Sequence, residues 1–406
     1  MREAPIATFN AKTYLADPYA ELARLRRETP VVRVKRRPMP DSYFITRYDD
    51  VLAVLRDDDR FVHEPWNAGK PRTRFNQWFH KWTNLGLSDT MILRDAPDHR
   101  RLRGLVHQAF TPARVEALSA RMTQLVERML DAMQAEGRAD LVKGLALPLP
   151  ITVICDLMGM AEDERPIFYR QAGGAVEAES QAFGMVRIMF RVAWIARYFR
   201  GLVNRRRAVR GDDLLSAMIA AEENGQRLTT DELVGSTFLL LFAGYETTVN
   251  PISSGLLALL DHPEQMERLR RDPSLIDAAV EELLRYTSPV QIPPPRYARE
   301  DVELSGVRIP RGGLAVAAIA SANHDETRFP DPEKLDLGRS PNKHLGFGFG
   351  SHYCLGAPLA RLEARIAIPA FLQRFPNARL AIPRDQVRWR KSLSLRGLAE
   401  LPLELR

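Results

Sequence analysis

The chain has 406 residues, 45% hydrophobic and 27% charged, an ordinary globular balance long enough to bury a large core. Two cysteines, Cys155 and Cys354, exclude a disulfide framework and a four-cysteine metal cluster. The absence of any apolar run of about 18 residues argues against a membrane span, and the charged start Met1-Arg2-Glu3 argues against secretion, so the expected location is cytoplasmic.

The net charge is +7, and 50 of the 58 basic residues are Arg. Neither zinc-finger spacing nor a clustered basic–aromatic segment accompanies that excess, so no nucleic-acid partner is expected; a basic docking face for an acidic protein is.

In chain order, 17–29 and 48–56 read as short amphipathic helices. Residues 65–90 form an irregular aromatic stretch containing Trp66, Phe75, Trp78, Phe79 and Trp82, the kind of long loop that covers a site. Apolar residues then recur at helical spacing over 97–109, 112–136, 149–159, 163–175, 180–207, 212–222, 230–260, 263–270 and 274–286. Asp212-Asp213 and Thr230-Asp231 supply helix starts. Residues 289–320 alternate Val-Glu-Leu and Val-Arg-Ile between prolines and glycines and predict short strands and turns. A long Asp/Pro/Gly loop covers 323–350, and a last helix spans about 357–373 before short terminal strands. The predicted fold is mainly α with a small β region. Helices and strands do not alternate, which disfavours a doubly wound sheet.

The most informative segment is Phe347-Gly348-Phe349-Gly350-Ser351-His352-Tyr353-Cys354-Leu355-Gly356. Its glycines permit a tight turn and close approach of a flat ligand. Pro358 suits the first turn of a helix, which puts Cys354 just ahead of a helix N-terminus, where backbone N–H groups and the dipole favour a thiolate. A thiolate in such a loop suits haem iron. A lone cysteine beside a turn is usually structural; this ten-residue context reverses that reading.

The segment resembles the haem-binding loop of the cytochrome P450 family, F-x-x-G-x-x-x-C-x-G, at Phe347, Gly350, Cys354 and Gly356, with Gly348 and His352 as in the fuller bacterial form. The resemblance implies the cytochrome P450 fold, a single catalytic domain over 1–406 without a fused reductase, and haem b (iron protoporphyrin IX) ligated by Cys354.

In 237–250 an apolar helix is interrupted by Gly244, Glu246, Thr247 and Thr248. Glycine weakens a helix, a threonine hydroxyl competes for its carbonyls, and an acid beside an alcohol can relay protons. The stretch resembles the family's Ala-Gly-x-(Asp/Glu)-Thr segment at Ala243, Gly244, Glu246 and Thr247. By that resemblance Thr247 hydrogen-bonds the oxygen being activated and Glu246 gates proton delivery. Glu282 and Arg285, three apart on one helix face, take the place of the family's structural E-x-x-R ion pair. Counting from Phe329-Pro330 puts Lys334 at the network's third position, although lysine offers no planar fork.

Haem propionates need cationic or hydrogen-bonding partners. By family position these are His99 and Arg103, which share a helix face, together with Arg296 and His352. Arg100, Arg101, Arg361 and Arg365 match no anchor and are candidates for a basic face toward an electron donor. The family pattern places Phe75, Trp78, Phe79, Leu240, Ala243, Val290, Ile292, Pro293 and Leu395 around an apolar substrate pocket.

The implied reaction inserts one oxygen atom from O2 into a hydrophobic small molecule, by hydroxylation or epoxidation. Electrons come from NAD(P)H through a separate ferredoxin reductase and ferredoxin, and the enzyme is expected to act as a monomer. A peroxide-driven peroxygenase is the alternative, disfavoured by the Glu246-Thr247 pair. A hydrolase using Cys354 and His352 is remote, since no third orienting group is evident.

Overall fold

The computed structural model describes residues 2–6, 14–15, 17–35, 41–74, 77–78, 90–166, 184–221 and 225–405. Its longer helices are α1 (Pro18–Glu28), α2 (Tyr48–Arg56), α3 (Asp98–Ala109), α4 (Ser119–Glu136), α5 (Pro148–Leu157) and α6 (Gly184–Ala208). They continue with α7 (Leu214–Ala220), α8 (Thr230–Asp261), α9 (Pro263–Arg271), α10 (Ile276–Thr287) and α11 (Ala357–Arg374).

Local chemistry sets several boundaries. The Asp17 carboxylate accepts the Tyr19 N–H and Pro18 opens α1, while Asp213 caps α7 by accepting from Ser216 N–H at 2.7 Å. The start of α8 is a capping box one residue ahead of the expected pair: Thr229 N–H donates to Glu232 at 2.8 Å, and Glu232 N–H returns to the Thr229 hydroxyl at 3.3 Å. The helix expected over 112–136 is broken instead. Its first turn, Pro112–Glu116, ends as Leu118 N–H donates to Val115 C=O at 3.1 Å, and α4 starts afresh at Ser119. The helix expected over 163–175 lies mostly outside the described residues.

The chain divides into two compact units, one of residues 1–70, 119–148 and 247–406, the other of 71–118 and 149–246. Among the described residues all the strands belong to the first. The five-stranded sheet runs β2 (Val31–Val34), β3 (Ser42–Ile45), β9 (Leu314–Ala317), β6 (Arg296–Ala298), β4 (Phe61–Val62). β3 lies parallel to β9, with Ser42 opposite Leu314; β6 is antiparallel to β9 and β4 antiparallel to β6, with Val62 opposite Tyr297. Successive side chains bury on opposite faces. Val31, Tyr43, Ile45, Ala315 and Ala317 pack with Val51, Val54 and Leu55 of α2; Val32 and Phe44 pack with Tyr14, Leu22 and Leu25. The smaller sheets join β1 (Arg2–Glu3), β8 (Val307–Ile309) and β7 (Val302–Leu304), and β10 (Arg379–Leu380), β11 (Pro402–Glu404) and β5 (Arg138–Asp140). α4 lies against α11, where Arg374 pairs with Glu127 and Asp131.

The second unit is helical. α7 packs on both α3 and α6, and Arg101 of α3 pairs with Glu232 at the start of α8. Arg206 of α6 bonds the Gly159 carbonyl at 2.7 Å and the Asp213 carboxylate at 2.6 Å. Among the described residues no helix is long and apolar enough to cross a membrane.

Candidate active site

Backbone hydrogen bonds wind the cysteine loop. Gly348 N–H donates to Leu345 C=O at 2.8 Å, Tyr353 N–H to Gly350 C=O at 3.1 Å, and Cys354 N–H to Phe347 C=O at 2.9 Å. Gly350 has φ +74°, and a Cβ there would sit 2.9 Å from the Leu55 carbonyl oxygen, so no other residue fits. α11 begins three residues after Cys354, with Gly356 as its cap and Pro358 in its first turn, as expected. The cysteine is therefore held ahead of a long helix's N-terminus. Cys354 is partly accessible, whereas Cys155 is fully buried and burial pushes its thiol up to about 12.

A cation braces the loop. The Arg361 guanidinium lies 4.5 Å over the Phe347 ring, donates to Tyr353 Oη at 3.2 Å and forks onto Glu281 of α10 at 2.6 and 2.8 Å. Burial alone would raise the Glu281 carboxyl; hydrogen bonds from Arg361 and His344 outweigh it and hold the group at about 2.

Of the expected propionate anchors, Arg296 is buried on β6, where its guanidinium donates to Asp58 at 2.8 Å. In the same unit the His352 ring packs edge-on against His63, with centroids 4.6 Å apart. His99 and Arg103 lie one turn apart on α3 in the second unit, with His99 buried. A partly accessible thiol in a glycine turn, with a buried guanidinium and an imidazole in the same unit, is a donor set that fits an iron porphyrin bearing two carboxylates.

Ala243, Gly244 and Thr247 follow one another on α8, and a Cβ on Gly244 would come within 3.5 Å of Ile154. The side chain of Glu246 lies outside the described ones. Two features here escaped the sequence reading. Pro251 sits inside α8 four residues after Thr247 and has no N–H to give the Thr247 carbonyl, which adds to the weakness made by Gly244. The other is Glu363 of α11, wholly buried and hydrogen-bonded to Thr248. Burial pushes its carboxyl up to about 8, and its Oε2 has no hydrogen-bond partner among the described residues. An acid that keeps its proton at neutral pH therefore stands beside the residue following Thr247. The available signal was an acid on the apolar stripe of α11, with Leu359, Ala360 and Ala367 at helical spacing around it.

Glu282 and Arg285 form the expected pair, fully buried and bidentate at 2.7 and 2.9 Å. The third member is a correction: it is Arg339, not Lys334. Arg339 Nε reaches both Glu282 oxygens at 3.1 and 3.2 Å, and Asn342 adds a bond at 3.2 Å. Lys334 contributes only its backbone carbonyl, which accepts from Arg339 at 3.1 Å. A planar fork satisfies a buried carboxylate where an ammonium does not.

Of the residues expected around the pocket, Val290 and Leu395 face each other in an isolated β-bridge, and Ile292 N–H donates to Ser394 C=O at 3.2 Å, with Pro293 next in sequence. Leu240 is buried on α8. Trp78, expected to line the pocket, is instead 58% exposed. Phe75 and Phe79 lie outside the described residues. The arginines expected on a basic face have the following partners. Arg101 pairs with Glu232, Arg361 with Glu281 and Arg365 with Asp277, which offsets their charge; Arg100 is exposed.

The family described as Cytochrome P450 matches residues 9–387. The polyketide biosynthesis cytochrome P450 PksS of Bacillus subtilis (strain 168) is 43% identical, with 98% of each chain covered. Its solved structure superposes with a TM-score of 0.91 at 42% identity, covering 98% of this chain and 100% of that one. Cytochrome P450 monooxygenase PikC of Streptomyces venezuelae is 41% identical over 97% of this chain and 92% of its own. P450BioI, solved in complex with an acyl carrier protein ligated to hexadec-9Z-enoic acid, is 34% identical with a TM-score of 0.88, covering 98% of this chain and 100% of that one. With a cysteine loop of this geometry and matches along nearly its whole length, the chain belongs to the cytochrome P450 family and is a monooxygenase of small molecules.

Proposed function

We propose that this enzyme hydroxylates or epoxidises a hydrophobic, polyketide-like molecule, as one catalytic domain that draws electrons from NAD(P)H through a ferredoxin reductase and an acidic ferredoxin. The observation carrying the reading is the Cys354 loop, wound by backbone hydrogen bonds ahead of α11. The names of PksS, for polyketide biosynthesis, and of PikC, a monooxygenase, support the substrate class and the chemistry. The net charge of +7 supports an acidic donor.

Haem, when bound, supplies reductive activation of dioxygen. The chain supplies the rest. Cys354 would hold the iron, and by family position Arg296, His352, His99 and Arg103 would neutralise the propionates. Thr247 orients a proton donor and Glu246 passes protons inward from solvent. Glu363 keeps a proton next to Thr248. Val290, Ile292, Pro293 and Leu395 present apolar surface to the substrate and exclude water.

Two measurements test this. Dithionite and carbon monoxide should give the strongly red-shifted Soret band of thiolate ligation, and Cys354→Ala should abolish it; a wild-type protein without that band overturns the assignment. Substrate class is read from the ferric spin-state shift. Macrolactones and linear polyenes should shift it at lower concentration than free fatty acids, and a shift given only by an acyl group on a carrier protein would replace the free-substrate reading. Turnover with peroxide but none with ferredoxin, reductase and NAD(P)H would overturn the electron route.

A further inference from the structure

We infer that Glu281 and Arg361 are positioning residues that set the reduction potential of the cysteine-ligated centre, the guanidinium raising it and the carboxylate moderating it; the inference rests on the haem-thiolate reading above. Glu281 lies on α10, and Arg361 lies near the start of α11, just past the cysteine.

The guanidinium divides its donors. Nε and Nη2 go to the two Glu281 oxygens at 2.6 and 2.8 Å, and Nη1 goes to Tyr353 Oη at 3.2 Å. The same group lies 4.5 Å over the Phe347 ring. Tyr353 immediately precedes Cys354, and the Phe347 carbonyl accepts the Cys354 N–H at 2.9 Å. The cation therefore touches both residues that fix the cysteine in its turn. Glu281 is itself held by His344, whose Nδ1 accepts the Gly346 N–H at 3.0 Å and whose Nε2 is left to donate to Glu281 Oε2 at 3.0 Å. Donors fix the carboxylate, and the carboxylate fixes the guanidinium.

Both partners stay charged at any working pH. Arginine keeps its proton, and the Glu281 carboxyl is held at about 2. The pair is neutral in sum, but its positive end faces the loop. The two side chains are 30% and 29% exposed, so water screens them only in part. Reduction of the ferric centre adds one electron and hence one negative charge; a cation beside the cysteine loop favours the reduced state. One turn away along both helices, Arg365 and Asp277 pair at 3.2 Å, but at 38% and 75% exposure that pair is more strongly screened. A lysine at 361 would keep the charge without a planar fork for Glu281.

The test uses purified holoenzyme and a mediated dithionite titration of the ferric–ferrous couple, with the carbon monoxide band as control. Arg361→Met removes the charge and keeps a long side chain; the equilibrium constant for reduction should fall about three- to ten-fold. Glu281→Gln removes the opposing charge and should raise it by a similar factor. Arg361→Lys should lie nearer wild type than Arg361→Met. Simple loosening of the loop would move the Met and Gln variants in the same direction, so shifts of opposite sign are the signature of charge. Arg361→Gln and Glu281→Ala delete the same charges if either first variant does not fold. Shifts of one sign, no shift in either, or a Lys variant that matches Met overturn the inference. A normal thiolate band in wild type with any of those results removes only the role of this pair; the absence of that band removes the haem assignment as well.

Discussion

Arg339 Nε lies 3.1 Å from Glu282 Oε1 and completes, from the loop before the cysteine, an ion pair begun on α10. Glu282 is fully buried and also accepts from Arg285, Asn342 and the Asp336 N–H, so its carboxylate is saturated with donors. Arg339 further donates to the carbonyls of Pro330 and Lys334. One guanidinium thereby ties the Pro-rich loop to the helix beneath it.

That arrangement ranks three substitutions. Arg285→Ala leaves a buried carboxylate partly unpaired and should cost about 3–5 kcal/mol. Arg339→Lys loses the fork and should cost roughly 1–3 kcal/mol. Lys334→Ala keeps its carbonyl and should stay within about 0.5 kcal/mol of wild type. Chemical-denaturation midpoints give the order, and a Lys334 effect as large as that of Arg339 would refute the assignment.

Glu363 predicts a slope of stability with pH. Its ordinary value of 4.5 applies in the unfolded chain, and burial pushes the folded value up to about 8. Between those values the native state holds a proton that the unfolded state lacks, so this group makes stability fall as pH rises. Below about 4.5 and above about 8 it contributes no slope. Glu363→Gln should remove this dependence. The variant should gain on wild type from pH 4.5 to 8 and then hold a constant difference, as read by thermal melts across that range. Parallel curves would mean that the carboxyl titrates at its ordinary value.

Thr247→Ala should retain haem and the thiolate band while diverting reducing equivalents to peroxide. Paired assays of NAD(P)H consumption, product and peroxide check it; unchanged coupling would count against Thr247 as the hydroxyl that orients the proton donor.

Pro251→Ala restores an N–H at the fourth residue after Thr247 and should regularise α8. The expected result is a protein more stable by about 1–3 kcal/mol but less well coupled. A gain in stability with coupling intact would show that the proline shapes the helix without serving oxygen activation.

Much of this protein was readable in one dimension. The cysteine turn and the Glu282–Arg285 pair are local, and the family resemblance that marks them rests on residues a few positions apart. Helix limits were close to the expected ones for α3, α8, α10 and α11 because apolar periodicity and caps act within a turn or two. Four features belonged to the folded chain. Arg339 replaced Lys334 because a loop's path, not its residue count, decides which cation meets a buried acid. Trp78 faces solvent, which its place in an aromatic stretch did not disclose. Glu363 found Thr248, and His63 found His352, across long separations in sequence. Burial, and with it the proton held by Glu363, arises only when distant segments exclude water together. Short-range order was written in the sequence; which buried groups meet was decided by packing.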